Sequence, residues 1–176
     1  MKGKIISVSL FLLLSLFSSC SYKNDTPYRS VSQIQKSGVI KIAVYSDKKP
    51  FCYIDKYGNY QGYDVYFANR IAKDLNVTPE FVSVTASTRL SVLNSGKADI
   101  ILANMTRTAD RIELADFALP YMKVSLGVVS REGDLIRHIE ELSGRTVLVN
   151  KGTTAQDYFK ALADSERKDD TDQNIA

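Results

Sequence analysis

The chain has 176 residues, 44% of them hydrophobic and 24% charged, and carries a formal net charge of +3. This globular balance excludes a disordered, collagen-like or disulfide-dense protein. The pI near 8.8 does not mark a nucleic-acid binder, because no polybasic cluster or aromatic-interleaved basic stripe accompanies it.

Lys2 and Lys4 precede thirteen uncharged residues, Ile5 to Phe17, and Ser18-Ser19-Cys20 follows them. Basic, then apolar, then small residues is the order of a secretory signal peptide, here residues 1–19. Thirteen apolar residues are short against the roughly 20 that a spanning helix needs. Phe17-Ser18-Ser19-Cys20 resembles the lipobox of bacterial lipoproteins, with Phe17 where Leu is usual. That resemblance implies a diacylglyceryl group on Cys20 and membrane lipid as its partner, anchored by about 0.8 kcal/mol per buried CH₂. A plain signal peptide with a chance cysteine is the alternative. Residues 20–37 then read as a lipidated N-terminus and tether, since Ser21 to Ser32 is rich in Ser, Asn, Asp and Pro and lacks apolar periodicity.

After the tether, Val39 to Tyr45 is a β-branched run that predicts a first strand, and Phe51 to Ile54 a second, closed by the turn at Lys56 to Asn59. From Asp64, Val65, Ala68, Ile71, Ala72 and Leu75 recur at helical spacing, with Asp64 placed to cap the first free N–H groups. Phe81 to Val84 predicts a strand, Leu90 and Leu93 a short helix ended by Gly96, and Asp99 to Ala103 a strand apolar on both faces. Continuous apolar strands between helices imply a parallel sheet covered on both sides, hence the α/β class. Ala109 to Glu113 can start a short helix, and Val124 to Val129 is again strand-like.

Beyond Ser130 the pattern restarts, with a break at Arg131 to Asp134, a helix near Ile136 to Leu142, a strand from Thr146 to Val149, and a helix through Ala155, Tyr158, Phe159 and Leu162. The domain reading is therefore lobe 1 over 38–129, a partial lobe 2 over 130–163 that cannot bury a core alone, and a polar tail over 164–176. Cys52 reads as a small core or near-site residue and not as a nucleophile, because His138 is the single histidine, placed on an exposed helix face, and no base is evident. No His–acid pair, metal-ligand spacing, nucleophile elbow or phosphate-binding glycine loop is present, so no metal or cofactor is implied.

Ligands of open α/β sheets sit beyond the carboxyl ends of the strands. Four stretches occupy such places: Ser46 to Phe51, Ser87-Thr88-Arg89, Asn104 to Arg111, and Asn150 to Ala155. The last feeds a helix N-terminus, where unpaired N–H groups favour an anion. Phe51 could shelter a ligand or belong to the core, and Arg89 could join an anion site or exit to solvent. Asp47, Lys48 and Lys49 read as a solvated turn, with Asp47 the best placed of the three to reach a ligand.

The chain resembles the extracellular solute-binding proteins for polar amino acids that serve ABC importers. The residues that carry the resemblance are Pro50-Phe51, Gly58 through Gly62-Tyr63-Asp64, Asp99 to Arg111 continuing through Asp116 to Tyr121, and Gly144 to Val147 with Gly152-Thr153-Thr154. Asn104-Met105-Thr106 and Gly152-Thr153-Thr154 look closest to binders of cysteine, cystine or similar small amino acids. The resemblance implies a periplasmic-binding-protein-like type II fold of two lobes with mainly parallel sheets, the second lobe incomplete. It implies a monomer, secreted and lipid-anchored, whose partners are a free amino acid and an ABC permease, with a hinge near Gly127 to Arg131.

In the site so implied, Arg111 pairs with the ligand α-carboxylate, joined by backbone N–H groups at Thr106 and Thr154, while the Asn104 carbonyl and the Thr106 hydroxyl receive the ammonium. A planar guanidinium suits that task, since it offers a carboxylate two parallel, charge-assisted donors. The acid that a second lobe would add to the ammonium site has no match here, so binding by this chain is expected to be weak or absent. A dehydratase or sensory module on the same fold, or a surface adhesin or antigen, are the competing readings.

Overall fold

The structure, a computed structural model, describes residues 27–173, with side chains to Asp164. The signal peptide at 1–19 and the lipidation site Cys20 lie outside the described residues.

The described chain opens on a helix where a tether was expected. Ser30 accepts from the Gln33 N–H at 3.3 Å and Gln33 Oε1 accepts from the Ser30 N–H at 2.7 Å, a reciprocal cap that starts helix α1, Val31–Ser37. Gly38, at φ 72°, ends it and turns the chain into strand β1, Val39–Val44. Ile34 on α1 is buried in the core, so the segment is part of the domain.

Four strands follow: β2 at Asp47–Lys48, β3 at Cys52–Ile54, β4 at Tyr60–Gln61 and, after helix α2 at Tyr63–Asp74, β5 at Thr78–Ser83. Helix α3, Arg89–Asn94, leads to β6, Ile100–Ile101, and helix α4, Ala109–Ile112, completes the lobe. Strands β5, β1 and β6 form a parallel sheet in that order, with β1 central, and β2, β3 and β4 form a small antiparallel sheet beside it. Strand β1 is apolar throughout except Lys41, and Ile42, Ala43 and Val44 are fully buried, as a central strand covered on both faces requires. Val65, Ala68 and Ala72 face the sheet from α2 at helical spacing. The lobe is thus the α/β unit read from the sequence, with β6 shorter than expected because its ladder bonds beyond Ile101 are carried by single contacts such as Leu102 N to Ala43 O at 2.9 Å.

The second lobe departs from expectation. No strand forms over Val124–Val129 or Thr146–Val149, and the helix expected at Ile136 to Leu142 is a single 3₁₀ turn, Ile139–Leu142. A strand exists only where a neighbour accepts its ladder bonds, and no described segment after Tyr121 offers one. Leu126, Val129, Leu135 and Leu148 consequently stay exposed, and among the described apolar residues after Tyr121 Leu142 alone is buried. The last helix, α5, Thr154–Gln173, runs well past the expected end near Leu162 and into the stretch read as a polar tail.

The N-terminal entry is pinned by one ion pair. Asp99, at the foot of β6, accepts from Arg29 Nε at 2.8 Å, from Arg29 Nη2 at 2.5 Å and from the Lys41 N–H at 2.6 Å. Burial disfavours the Asp99 carboxylate, but the Arg29 and Lys41 bonds outweigh it and hold the group below the ordinary carboxylate range. A carboxylate depressed on folding stabilises the fold fully above its unfolded value of about 3.9, and that stabilisation is lost as pH falls through the lower folded value. Asp99→Asn is therefore expected to lower stability at neutral pH by about 1–2 kcal/mol and to flatten the acid limb of the stability curve. Denaturant unfolding of both proteins between pH 2 and 7 measures this; parallel curves would show that Asp99 is not the acid-sensitive group.

Candidate functional site

A cavity of about 1060 Å³ opens between the carboxyl end of the parallel sheet and the start of α5. Six of the residues read from the sequence as site candidates line it: Phe51, Arg89, Asn104, Thr106, Arg111 and Thr154. The seventh, Asp47, does not. It lies exposed on β2, and its neighbour Lys48 lines the cavity instead, because successive residues of a strand face opposite ways.

Arg89 and Arg111 dominate the site. Arg89 opens α3 and is 3% exposed, whereas a solvated exit was one of its sequence readings. Its Nη1 donates to the Ala103 carbonyl at 2.8 Å, the Asn104 carbonyl at 3.2 Å and the Tyr45 hydroxyl at 3.3 Å, and its Nη2 donates to the Gly152 carbonyl at 3.2 Å. Burial lowers its pKa, but a guanidinium remains protonated even so. Among the described residues no carboxylate lies within salt-bridge distance of Arg89.

Arg111, on the short α4, is buried as well. It donates to the Thr106 carbonyl at 3.0 Å and to the same Gly152 carbonyl at 3.2 Å. Its ionic partner is neither Asp110 nor Glu113 but Asp157 of α5, at 3.6 Å and two-thirds exposed on its side chain, a contact that water screens heavily. Two buried cations thus share one neutral carbonyl oxygen.

The N-terminus of α5 faces the same space. Thr153 caps it, accepting from the Gln156 N–H at 3.4 Å, while Gln156 Oε1 accepts from the Gly152 N–H at 2.8 Å. Thr154 therefore sits at the positive end of a 20-residue helix. Gly152, at φ 79°, is pressed against the first lobe: a Cβ there would meet the Ala86 carbonyl oxygen at 2.7 Å and Ser87 Cα at 2.7 Å, so no side chain fits. This contact seats the loop before α5 over Arg89 and Arg111.

Asn104 turns the chain out of β6 into the cavity in the left-handed region, φ 45°. That conformation is uncommon for a residue with a side chain, though Asn tolerates it best. Its carbonyl, the expected ammonium acceptor, already receives Arg89. Thr108 precedes α4 at the N-cap position but makes no side-chain cap bond.

Two site features escaped the sequence reading. Tyr45 lines the cavity and is 5% exposed, with burial holding its hydroxyl above the ordinary phenol range. The signal was present, as it is the first polar-tipped residue after the buried Ile42-Ala43-Val44 run. The Gly152 carbonyl, which both arginines approach, left no sequence signal, because a main-chain acceptor is defined by loop geometry alone. Cys52 is fully buried and its thiol is pushed up to about 12 by burial first and the nearby Asp64 second, so it is no nucleophile. His138 is exposed and does not line this cavity.

Comparison with known proteins places these features in a wider group. Residues 40–175 match the family model of bacterial extracellular solute-binding proteins, family 3. The crystal structure of the cysteine-binding protein from Campylobacter jejuni superposes with a TM-score of 0.71 at 48% sequence identity, over 73% of this chain and 53% of that one. The glutamine-binding protein GlnH of an ABC transporter from Bacillus subtilis is 29% identical over 174 residues, covering 91% of this chain and 64% of its own length. The cyclohexadienyl dehydratase of Pseudomonas aeruginosa is 27% identical over 159 residues, 88% of this chain and 58% of that enzyme. The chain thus spans little more than half to just under two thirds of the length of these relatives.

Proposed function

Since the chain belongs to the bacterial extracellular solute-binding proteins of family 3, we propose that it forms the ligand-gripping part of a receptor that captures cysteine or a similar small amino acid and delivers it to an ABC permease. The observation that carries this reading is the pair of buried guanidiniums, Arg89 and Arg111, that converge on the Gly152 carbonyl with no buried carboxylate between them. A carboxylate entering there exchanges a neutral acceptor for an ionic one, and charge-assisted bonds are about twice as strong as neutral ones.

In this mechanism the ligand carboxylate takes the fork of Arg111 and approaches the N–H groups at Thr106 and at Thr154, where the α5 terminus adds favourable potential. The ammonium meets the Asn104 carbonyl and the Thr106 hydroxyl, and Phe51 borders the side-chain space. Closure of the second lobe over the ligand, about a hinge near Gly127 to Arg131, then presents the loaded form to the permease. A lipid on Cys20, or failing that simple secretion, keeps the receptor on the outer side of the membrane; among the described residues no helix is long and apolar enough to cross one.

Capture without chemistry fits the site better than catalysis, although the family includes a dehydratase relative. Among the described residues lining the cavity the single carboxylate is Asp134, which is exposed and bound to Arg145 at 2.6 Å, and no histidine is present. A dehydration needs a free general acid or base within reach of the substrate, whereas Asp134 is engaged by Arg145 and the Tyr45 hydroxyl is bound to Arg89.

Thermal unfolding with and without L-cysteine, L-cystine, L-glutamine and L-arginine tests the reading. Because the contacts of a full second lobe are missing from these residues, the affinity is expected to be weak, and ligand at about 10 mM is appropriate. L-Cysteine is expected to raise Tm more than glutamine or arginine, with the amino acid recovered unchanged. No shift with any of them, or a product in the cysteine sample, overturns the proposal.

A further inference from the structure

The cavity is more cationic than a neutral amino acid requires. Among the described residues lining it, Lys48, Arg89, Arg111, Arg131 and Arg145 stand against the single carboxylate of Asp134, which Arg145 already engages at 2.6 Å. A zwitterion brings one carboxylate and one ammonium. With that carboxylate on Arg111, Lys48 is left without an anion.

Backbone geometry places Lys48. Strand β2 pairs with β3 in the register Lys48 to Cys52, which turns Lys48 toward the cavity and Asp47 outward. The Phe51 N–H donates to the Lys48 carbonyl at 2.8 Å, so one tight turn sets Lys48 beside Phe51, and both line the cavity. The Lys48 ammonium lies over the Tyr45 ring, 4.7 Å from its centroid, and the same phenol accepts from Arg89 at 3.3 Å. Lys48 is half-buried and, among the described residues, has no carboxylate within salt-bridge distance. A cation held on an aromatic face near a buried guanidinium gains from an incoming anion, because partial burial weakens screening. Phe51 and Lys48 border the space that a ligand side chain enters, so the side chain is the part that can bring this anion.

We propose that Lys48 is the specificity-determining contact of the site and takes the side chain of a cysteine ligand as its thiolate, the S–H proton passing to solvent as the sulfur meets the ammonium. This rests on the reading of the cavity as a receptor for cysteine, and adds the charge state in which cysteine is held. A free thiol ionises near about 8.5, so only a few per cent of cysteine has that form at neutral pH. Serine offers the same carboxylate and ammonium, but its hydroxyl stays neutral, so it matches every contact except this one. Other titratable groups near Lys48 act on both amino acids alike. Burial holds the Tyr45 hydroxyl above the phenol range, the Cys52 thiol is pushed up to about 12, and Arg89 and Arg111 keep their charge. Asp64 of α2 acts on Lys48 through its charge and gives its Oδ1 to the Tyr121 hydroxyl at 2.8 Å. Lys49 lies over the Tyr53 ring, and His138 does not line the cavity.

The pH dependence of binding tests this. L-Cysteine and L-serine are titrated into the whole protein between about pH 6.5 and 8.5 and followed by NMR chemical shifts, for wild type, Lys48→Met and Lys48→Arg, with a phosphine reductant keeping the thiol reduced. Cysteine affinity of the wild type is expected to rise about 50-fold over this range, in step with the thiolate fraction, while serine affinity stays flat within about twofold. Lys48→Met keeps the length of the side chain and loses its charge, so its cysteine profile should become as flat as that of serine. Lys48→Arg keeps the charge and should keep the rise.

A wild-type cysteine profile as flat as that of serine overturns the proposal and leaves the receptor reading standing, and so does a rise that survives in Lys48→Met. A Lys48→Met protein that binds neither amino acid at any pH marks a structural role for Lys48 and overturns it as well. If neither amino acid binds the wild type at any pH, the receptor reading itself fails and the proposal falls with it.

Discussion

In a full-length version that carries the whole second lobe, Arg111→Ala is expected to abolish amino-acid binding, with affinity reduced by at least about 30-fold, because truncating one side of a close charged pair costs about 2–5 kcal/mol. The side chain lines the cavity and its present bonds go only to the carbonyls of Thr106 and Gly152 and to the mostly exposed Asp157. Those contacts are modest, so the fold should lose no more than about 1 kcal/mol per neutral bond removed. Binding and stability therefore separate in this variant. Arg111→Lys should recover only part of the affinity, since an ammonium is a point charge without the planar fork that matches a carboxylate. Calorimetric titration with L-cysteine measures both variants, and an Arg111→Ala affinity within threefold of wild type would remove the carboxylate assignment.

Arg89→Ala is expected to do the opposite in proportion: it should unfold the site as well as empty it. Arg89 is the tie between three loops, the end of β1 through Tyr45, the end of β6 through Ala103 and Asn104, and the start of α5 through Gly152. Its removal takes a donor from the buried Tyr45 hydroxyl, the buried Ala103 carbonyl and the half-buried Asn104 carbonyl, and the expected loss is about 2–4 kcal/mol. Arg89→Met fills more of the space but supplies no donor, so it should recover little. The urea midpoint gives the answer directly. A change below about 0.5 kcal/mol, the range of ordinary surface substitutions, would show that the three loops hold their places without Arg89.

These two arginines divide the work in a way that their sequence contexts did not reveal. Both lie in short helices beyond a strand end; Arg89 reads equally well as an anion ligand or as a residue exiting to solvent, and only the family resemblance marks Arg111 as the carboxylate ligand. What separates them is depth: Arg89 is fixed by four acceptors contributed from three distant stretches, whereas Arg111 holds two. Convergence on Gly152 closes sequence separations of 63 and 41 residues. No local pattern encodes such a meeting.

The same distinction explains where Asp64 and Asp47 lie. An aspartate in the first turn of a helix is ordinarily a cap, and local reasoning assigned Asp64 that role. Its partner is Tyr121, 57 residues on, and only the packing of α2 against that segment brings them together. Asp47 and Lys48 differ by one position, and pairing of β2 with β3 in the register Asp47 to Tyr53 and Lys48 to Cys52 sends one outward and the other toward the cavity. A register shift by one residue would exchange them. The reciprocal Ser30–Gln33 cap, by contrast, was legible as Ser-x-x-Gln and was overlooked inside a polar stretch.

The sequence alone therefore determined what depends on near neighbours: the buried strand β1, the amphipathic α2, the α/β class, and the group of residues gathered beyond the strand ends. Those features follow from side-chain period and from the solvation of short segments, and each residue carries its own share of the information. Tertiary structure decided which expected strands of the second lobe found no partner, which charge lies buried at Arg89, and which main-chain oxygen both guanidiniums share. A ladder bond or a buried ion has no stable existence until a second segment desolvates and satisfies it, and that segment lies too far along the chain for any local pattern to announce.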